Sequence, residues 1–165
     1  MPGVFLLTMK GATSGDIKGG YTKKEGDLDF STGMQCHGFE YLVQTAIDPN
    51  SGASIGRRRH FPIKIRKEVD AASPKLVTML VTNEKITDAK LSFNRADGKG
   101  KTQVYYTIEL SGGFISSYKT YLARDATTRD VHDVNEQEEI EFTFQKITKT
   151  YTQGGITSTD DWLNS

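Results

Sequence analysis

Cys36 and His37 place a thiol beside an imidazole, the two groups that a nucleophile and its general base would need. Adjacent residues of a strand project to opposite faces, so this pair cannot meet, and the role of a small hydrophobe suits Cys36 better. His37, His60 and His132 show no zinc-ligand spacing, and His60 stands inside a basic run that would repel a cation. Asp27 and Asp29 flank Leu28 as in some calcium loops, yet the glycine and distal glutamate of such a loop are missing, which leaves a solvated loop. Gly11, Gly15, Gly19 and Gly20 form neither a Walker motif nor a dinucleotide-binding fingerprint. With no convergent acid, base or nucleophile, the residues predict a protein that is not an enzyme and that uses no cofactor or metal. The lone cysteine also excludes an intrachain disulfide.

Charge is the stronger signal. Residues 57–67 hold six basic side chains, Arg57, Arg58, Arg59, Lys64, Arg66 and Lys67, and no acidic one. Residues 130–141 hold six acidic ones, Asp130, Asp133, Glu136, Glu138, Glu139 and Glu141, with no Lys or Arg among them. The totals of 21 basic and 21 acidic residues cancel, which argues against nucleic acid as the main partner, because phosphate binding rests on a positive excess. The alternative is a soluble module that holds an anionic ligand such as nucleic acid through 57–67, although Phe61 is the only aromatic ring of that window on which a base could stack. Two opposite patches on one chain suit head-to-tail association of identical copies. Exposed ion pairs contribute about 0–1 kcal/mol each, so such charges would set register and encounter rate while apolar strand faces supply affinity.

These patches need elements to hold them. At 165 residues, with 36% hydrophobic and 25% charged side chains, the chain is sized for one domain with a real core. The longest apolar runs, such as 4–7, are too short to insert in a membrane, and no classical secretory leader is visible, so the chain is expected to stay in the cytoplasm or leave by another route. Phe61, Ile63 and Ile65 alternate with Lys64 and Arg66, the period of a strand with one buried face. Asp70 and Ser73 are good helix caps, Pro74 suits the first turn, and Leu76, Met79 and Leu80 recur at helical spacing until Asn83, which predicts a helix over about 73–82.

The remainder reads as β. Strands are expected over 4–9, over 36–45 with Phe39, Tyr41 and Val43 on one face, over 85–95 and 103–110 around a turn at 96–100, and over 114–122. A last long strand runs through Ile140, Phe142, Phe144 and Ile147, with a twist or bulge needed to keep them on one face. Residues 46–58 are rich in turn formers and too long for a tight hairpin, which predicts an extended loop fit for a protruding arm. The tail from Gly154 is expected to be partly mobile, with Trp162 its anchor. The fold class is therefore mainly β, an antiparallel barrel of about eight or more strands flanked by one short helix.

The run from His60 to Asp70, the Ala72-Ser73-Pro74-Lys75-Leu76 helix start, and Tyr105-Tyr106-Thr107-Ile108-Glu109-Leu110 together resemble the haemolysin-coregulated proteins (Hcp). The similarity covers roughly residues 38–149. Residues 11–31 are less diagnostic, and 36–41 carry no tryptophan where many relatives are rich in aromatic side chains. The resemblance implies a barrel flanked by a helix, six copies in a ring, and rings stacked into the inner tube of a type VI secretion system. It also implies that the tube meets the secretion sheath and spike proteins, leaves the cell without a cleavable signal, and holds small effectors in its lumen. On this reading 46–58 reaches toward the neighbouring ring, strands pack side by side within a ring, and a polar surface lines the channel. The candidate assembly residues are Ile47, Asp48, Asn50, Ser54, Arg57, Arg58, Arg59, Lys64, Glu136, Glu138, Glu139 and Glu141.

Overall fold

The computed structural model describes residues 4–122 and 135–162. In chain order it contains β1 (Phe5–Gly11), β2 (Gly15–Asp16), β3 (Lys24–Glu25), β4 (Leu28–Asp29), a 3-10 turn (Phe30–Thr32), β5 (Met34–Cys36), β6 (Gly38–Glu40), β7 (Val43–Gln44), β8 (Arg59–His60) and β9 (Ile63–Glu68). After α1 (Ser73–Val81) come β10 (Ile86–Ala96), β11 (Thr102–Gly113), β12 (Ile115–Tyr121), β13 (Gln137–Phe142), β14 (Lys146–Tyr151) and β15 (Ile156–Asp161). One sheet has the order β15-β14-β11-β10-β1-β2, with β5 also on β1, and a second has the order β12-β13-β9-β6. Every strand pairing within these two sheets is antiparallel.

The chain crosses from one sheet to the other at corners, so the barrel is built from two sheets rather than one unbroken ladder. The expected strand over 36–45 divides at His37: β5 pairs with β1 in the first sheet, and β6 pairs with β9 in the second. The His37 N–H donates to the Arg66 carbonyl at that corner (2.9 Å). The expected long strand through Ile140 and Ile147 is likewise two strands, β13 in the second sheet and β14 in the first. At the same corner β11 gives way to β12, and the backbones approach so closely that a Cβ on Gly113 would lie 1.7 Å from the Thr143 carbonyl oxygen. A change of sheet, and not a bulge, keeps Phe142, Phe144 and Ile147 all facing inward.

Leu7, Met9, Ala89, Leu91, Ile108, Leu110 and Ile147 of the first sheet pack in one buried cluster with Ile63, Ile65, Ile140 and Phe142 of the second. Leu76 and Met79 of α1 join that cluster. The helix ends as its sequence predicts, with Asn83 in the left-handed region (φ 53°) and the Glu84 N–H returning to the Met79 carbonyl (2.9 Å). Its start differs in one respect: Ala72 holds the cap position without a side-chain cap bond of its own, while the two predicted cap residues close the turn just ahead of it, Asp70 Oδ1 accepting from the Ala72 N–H (2.9 Å) and Ser73 Oγ from the Asp70 N–H (3.0 Å). The tail also differs: its last described strand, β15, pairs along the whole of β14, and Trp162 does anchor its end, donating from Nε1 to the Phe144 carbonyl (2.7 Å).

Candidate functional site

The basic and acidic runs are neighbours in the fold. In the β9–β13 ladder Lys67 lies opposite Glu138, Arg66 opposite Glu139 and Lys64 opposite Glu141. Strand alternation then sorts the pairs by face. On the outer face Lys64 bridges Glu139 (3.5 Å) and Glu141 (3.7 Å), and Arg66 bridges Glu139 (3.1 Å). Glu139 beside Lys64 raises the pKa of that ammonium. Much of the charge that the sequence assigns to two distant patches is thus neutralised within one chain. Glu136 is exposed next to this ladder, while Asp130, Asp133 and His132 lie outside the described residues.

On the inner face stands a buried ionic network. Lys67 and Glu138 are both inaccessible to solvent and form an ion pair, and Lys67 also bridges Asp70 (2.8 Å). Ser73 Oγ donates to Glu138 (3.0 Å) and accepts from the Asp70 N–H (3.0 Å). Tyr118 donates to the other Glu138 oxygen, and Tyr21 donates to Asp70 (2.9 Å). Burial and the neighbouring carboxylates push both phenols above their ordinary range. Glu138 therefore belongs to the interior of this chain and not to its exposed surface, a correction to the sequence-based assignment. The alternation that puts Ile63 and Ile65 inside also puts Lys67 inside, and Glu138 shares a face with Ile140 and Phe142. That signal was present in the sequence.

Residues 43–60 form an arm. Its root is the β7–β8 ribbon, with Val43 opposite His60, and further out Ile47 bridges Ser54. Asp48 builds the tip: its N–H donates to the Ala53 carbonyl, its carbonyl accepts from Gly52, and its carboxylate accepts from the Asn50 N–H, each at 2.8 Å. Gly52 takes the positive φ (71°) that this turn requires. The Thr45 and Ser54 hydroxyls share a hydrogen bond (3.3 Å). The expected loop is therefore a hydrogen-bonded ribbon. It carries Leu42, Val43, Ile47 and Ile55 at 41%, 40%, 48% and 66% exposure, more apolar surface than an isolated soluble hairpin needs.

The three arginines of the arm have separate roles. Arg57 is exposed, and Arg59 stacks its guanidinium over the Phe61 ring (4.7 Å to the centroid). Arg58 grips Asp160 with two hydrogen bonds of 2.6 Å, and His60 donates from Nε2 to the same carboxylate (2.6 Å) while Nδ1 shares a hydrogen bond with the Tyr41 hydroxyl (3.2 Å). Asp160, Tyr41 and Trp162 were not candidates from sequence, since Arg58 and Asp160 are 102 positions apart. The Arg58 hydrogen bonds, with those of His60, hold the Asp160 carboxyl down at about 2. A carboxyl with a depressed folded pKa contributes stability above its unfolded pKa of about 3.9 and loses it as pH falls through about 2. The urea midpoint of the protein should therefore exceed that of Asp160→Asn at pH 5, with the gap closing as the pH approaches 2; a gap independent of pH would contradict this assignment.

The other candidate chemical groups are accounted for locally. Cys36 is fully buried, which raises its thiol pKa, and His37 points outward to Gln137 Oε1 (2.6 Å). Asp29 caps the 3-10 turn, and Asp27 accepts from the Val104 N–H (3.2 Å). Among the described residues no three His, Cys, Asp or Glu side chains converge as a metal site, and no helix is long and apolar enough to cross a membrane.

The fold is thus an antiparallel β-barrel built from two sheets, with one helix packed against it and a projecting arm. Residues 7–151 match the family described as type VI secretion system effector, Hcp. The chain is 33% identical to the major exported protein of Pseudomonas aeruginosa strain PAO1 over 157 residues, covering 95% of this chain and 88% of that one. Its fold superposes on a crystal structure of an Hcp protein with a TM-score of 0.84 at 18% identity, covering 96% of this chain and 99% of that one. The secreted protein Hcp3 from Pseudomonas aeruginosa gives a TM-score of 0.73 at 25% identity, covering 96% and 97%. This chain belongs to the Hcp family of type VI secretion.

Proposed function

We propose that the protein is a structural subunit of the type VI inner tube: six copies close into a ring, rings stack, and the tube is exported through the sheath behind the spike with small effectors in its lumen. The observation that carries this reading is the arm, whose ribbon holds Leu42, Val43, Ile47 and Ile55 in solvent. Apolar side chains fixed on a hydrogen-bonded projection gain free energy when a neighbouring copy covers them. The outer charges of β9 and β13 are already paired within the chain, so they add little to affinity between copies and leave a weak surface for nucleic acid. The name of the exported relative supports secretion. Family membership supports a structural role in place of an enzymatic one. The deciding experiment is multi-angle light scattering of the purified protein at high concentration together with negative-stain microscopy. Six-fold rings and short tubes are expected; a monodisperse monomer with no rings on the grid would sink the proposal.

A further inference from the structure

We infer that Asp160 is the latch of the arm: through Arg58 and His60 it pins the root of 43–60 to the C-terminal strand, and so fixes the direction in which Ile47 and Ile55 meet a second copy of this chain. The assembly half of this inference rests on the proposed function, whereas the latch itself is intramolecular.

Among the described residues, the hydrogen bonds of 45–56 run within the arm itself, at Thr45, Asp48, Asn50, Ala53, Ser54 and Ile55. A ribbon tied only to itself swings about its base. The backbone part of that base is short, with β7 and β8 paired over two residues each and the Phe61 N–H donating to the Leu42 carbonyl (3.0 Å). Side chains supply the rest. Arg58 meets the Asp160 carboxylate with two parallel bonds, the geometry that adds direction as well as strength. His60 approaches the same carboxylate from inside, its side chain only 3% exposed, with its ring 5.2 Å from Phe144 and 5.5 Å from Trp162. Lys149 sits over the Tyr41 ring (3.8 Å), which in turn holds the second nitrogen of His60.

Asp160 lies on β15, which among the described residues pairs only with β14, at the edge of its sheet. Position at an edge makes β15 one of the elements most easily displaced. Anything that lifts β15 takes the carboxylate away from Arg58 and His60 and releases the arm. The arm and the C-terminal strand therefore act as one unit.

The test uses the full chain with Asp160→Asn, and with Arg58→Gln as a second variant, read by backbone hydrogen exchange and by assembly. Exchange of the Phe61 amide, at the root of the arm, is expected to rise about tenfold, well beyond any rise at Ile65 and Ile108, while Ile55, bonded within the ribbon, follows Ile65 and Ile108. The double variant is expected to exchange no faster than Asp160→Asn alone, because the Arg58 contact is already lost with that carboxylate. Ring formation should fall with the loss of protection. Unchanged exchange at Phe61 overturns the latch, as does a rise that is equal at Phe61, Ile65 and Ile108, which would mean that Asp160 acts through global stability alone. A freed arm with undiminished rings keeps the latch and removes the arm from assembly, which separates the failure of this inference from the failure of the function proposed above.

Discussion

Lys67→Met is expected to lower the unfolding free energy by about 3–5 kcal/mol, because it strands a buried carboxylate without its cation. Lys67 and Glu138 have no exposed side-chain surface, and Asp70 is 6% exposed, so none of the three can recover its partner from water. The loss is a large share of a domain stability that is typically about 5–15 kcal/mol. Ser73 and the two tyrosines remain as hydrogen-bond donors to the carboxylates but carry no compensating charge. Glu138→Leu alone should be similarly damaging, leaving the ammonium with Asp70 as its remaining carboxylate. The double variant Lys67→Met, Glu138→Leu should lose less than the sum of the two, since replacing a buried pair by apolar residues is often neutral. Urea melts of the four proteins complete the cycle. A single-variant loss of less than about 1 kcal/mol would show that the pair is solvated in practice.

Ile47→Asp with Ile55→Asp is expected to weaken assembly by about a hundredfold or more while leaving the fold intact. Fully burying one such side chain stabilises by about 1.5–3 kcal/mol, and these two are half or more exposed before any partner covers them. A carboxylate at either position must instead be desolvated at the contact, which adds to the loss. Because 1.4 kcal/mol corresponds to a factor of ten, covering the exposed parts of both side chains supplies about 2–3 kcal/mol, and together with the carboxylate cost this accounts for the expected change. The ribbon itself should persist, since its hydrogen bonds run through the backbone and through Asp48, Thr45 and Ser54. Sedimentation velocity would read the assembly, and circular dichroism with a urea midpoint would read the fold. Rings that form at the same concentration as for the unaltered chain would remove the arm from the interface.

Local chemistry made part of this architecture readable in advance. Pro74, the spacing of Leu76 and Met79, and Asn83 delimit α1 within a residue, because each acts on its own backbone neighbourhood. The turn after β10 is similarly local, with the Asp97 carboxylate accepting from the Lys99 and Lys101 N–H groups. What sequence did not show was which sheet a strand joins. The alternation of Ile140, Phe142 and Phe144 slips by one residue at Ile147, and such a slip reads as an irregularity in one strand although it marks the passage from one sheet to the other. Pairing of the two charged runs was hidden for a related reason: Arg66 and Glu139 are 73 positions apart, and only the β9–β13 register brings them together. The same long separation concealed the union of Arg58 with Asp160, and with it the difference between a loose loop and an arm held at its root.

Cys36 gives the fold one further property. Its sulfur is sealed in the core with a raised pKa, so it stays a thiol that neither oxidants nor another copy can reach readily. A chain built this way is indifferent to the redox potential around it: it needs no disulfide to mature in an oxidising medium and loses none in a reducing one. It also leaves the surface chemically silent toward maleimides, so a cysteine placed at Asn50 would be the single reactive position of the molecule and would report the motion of the arm tip alone.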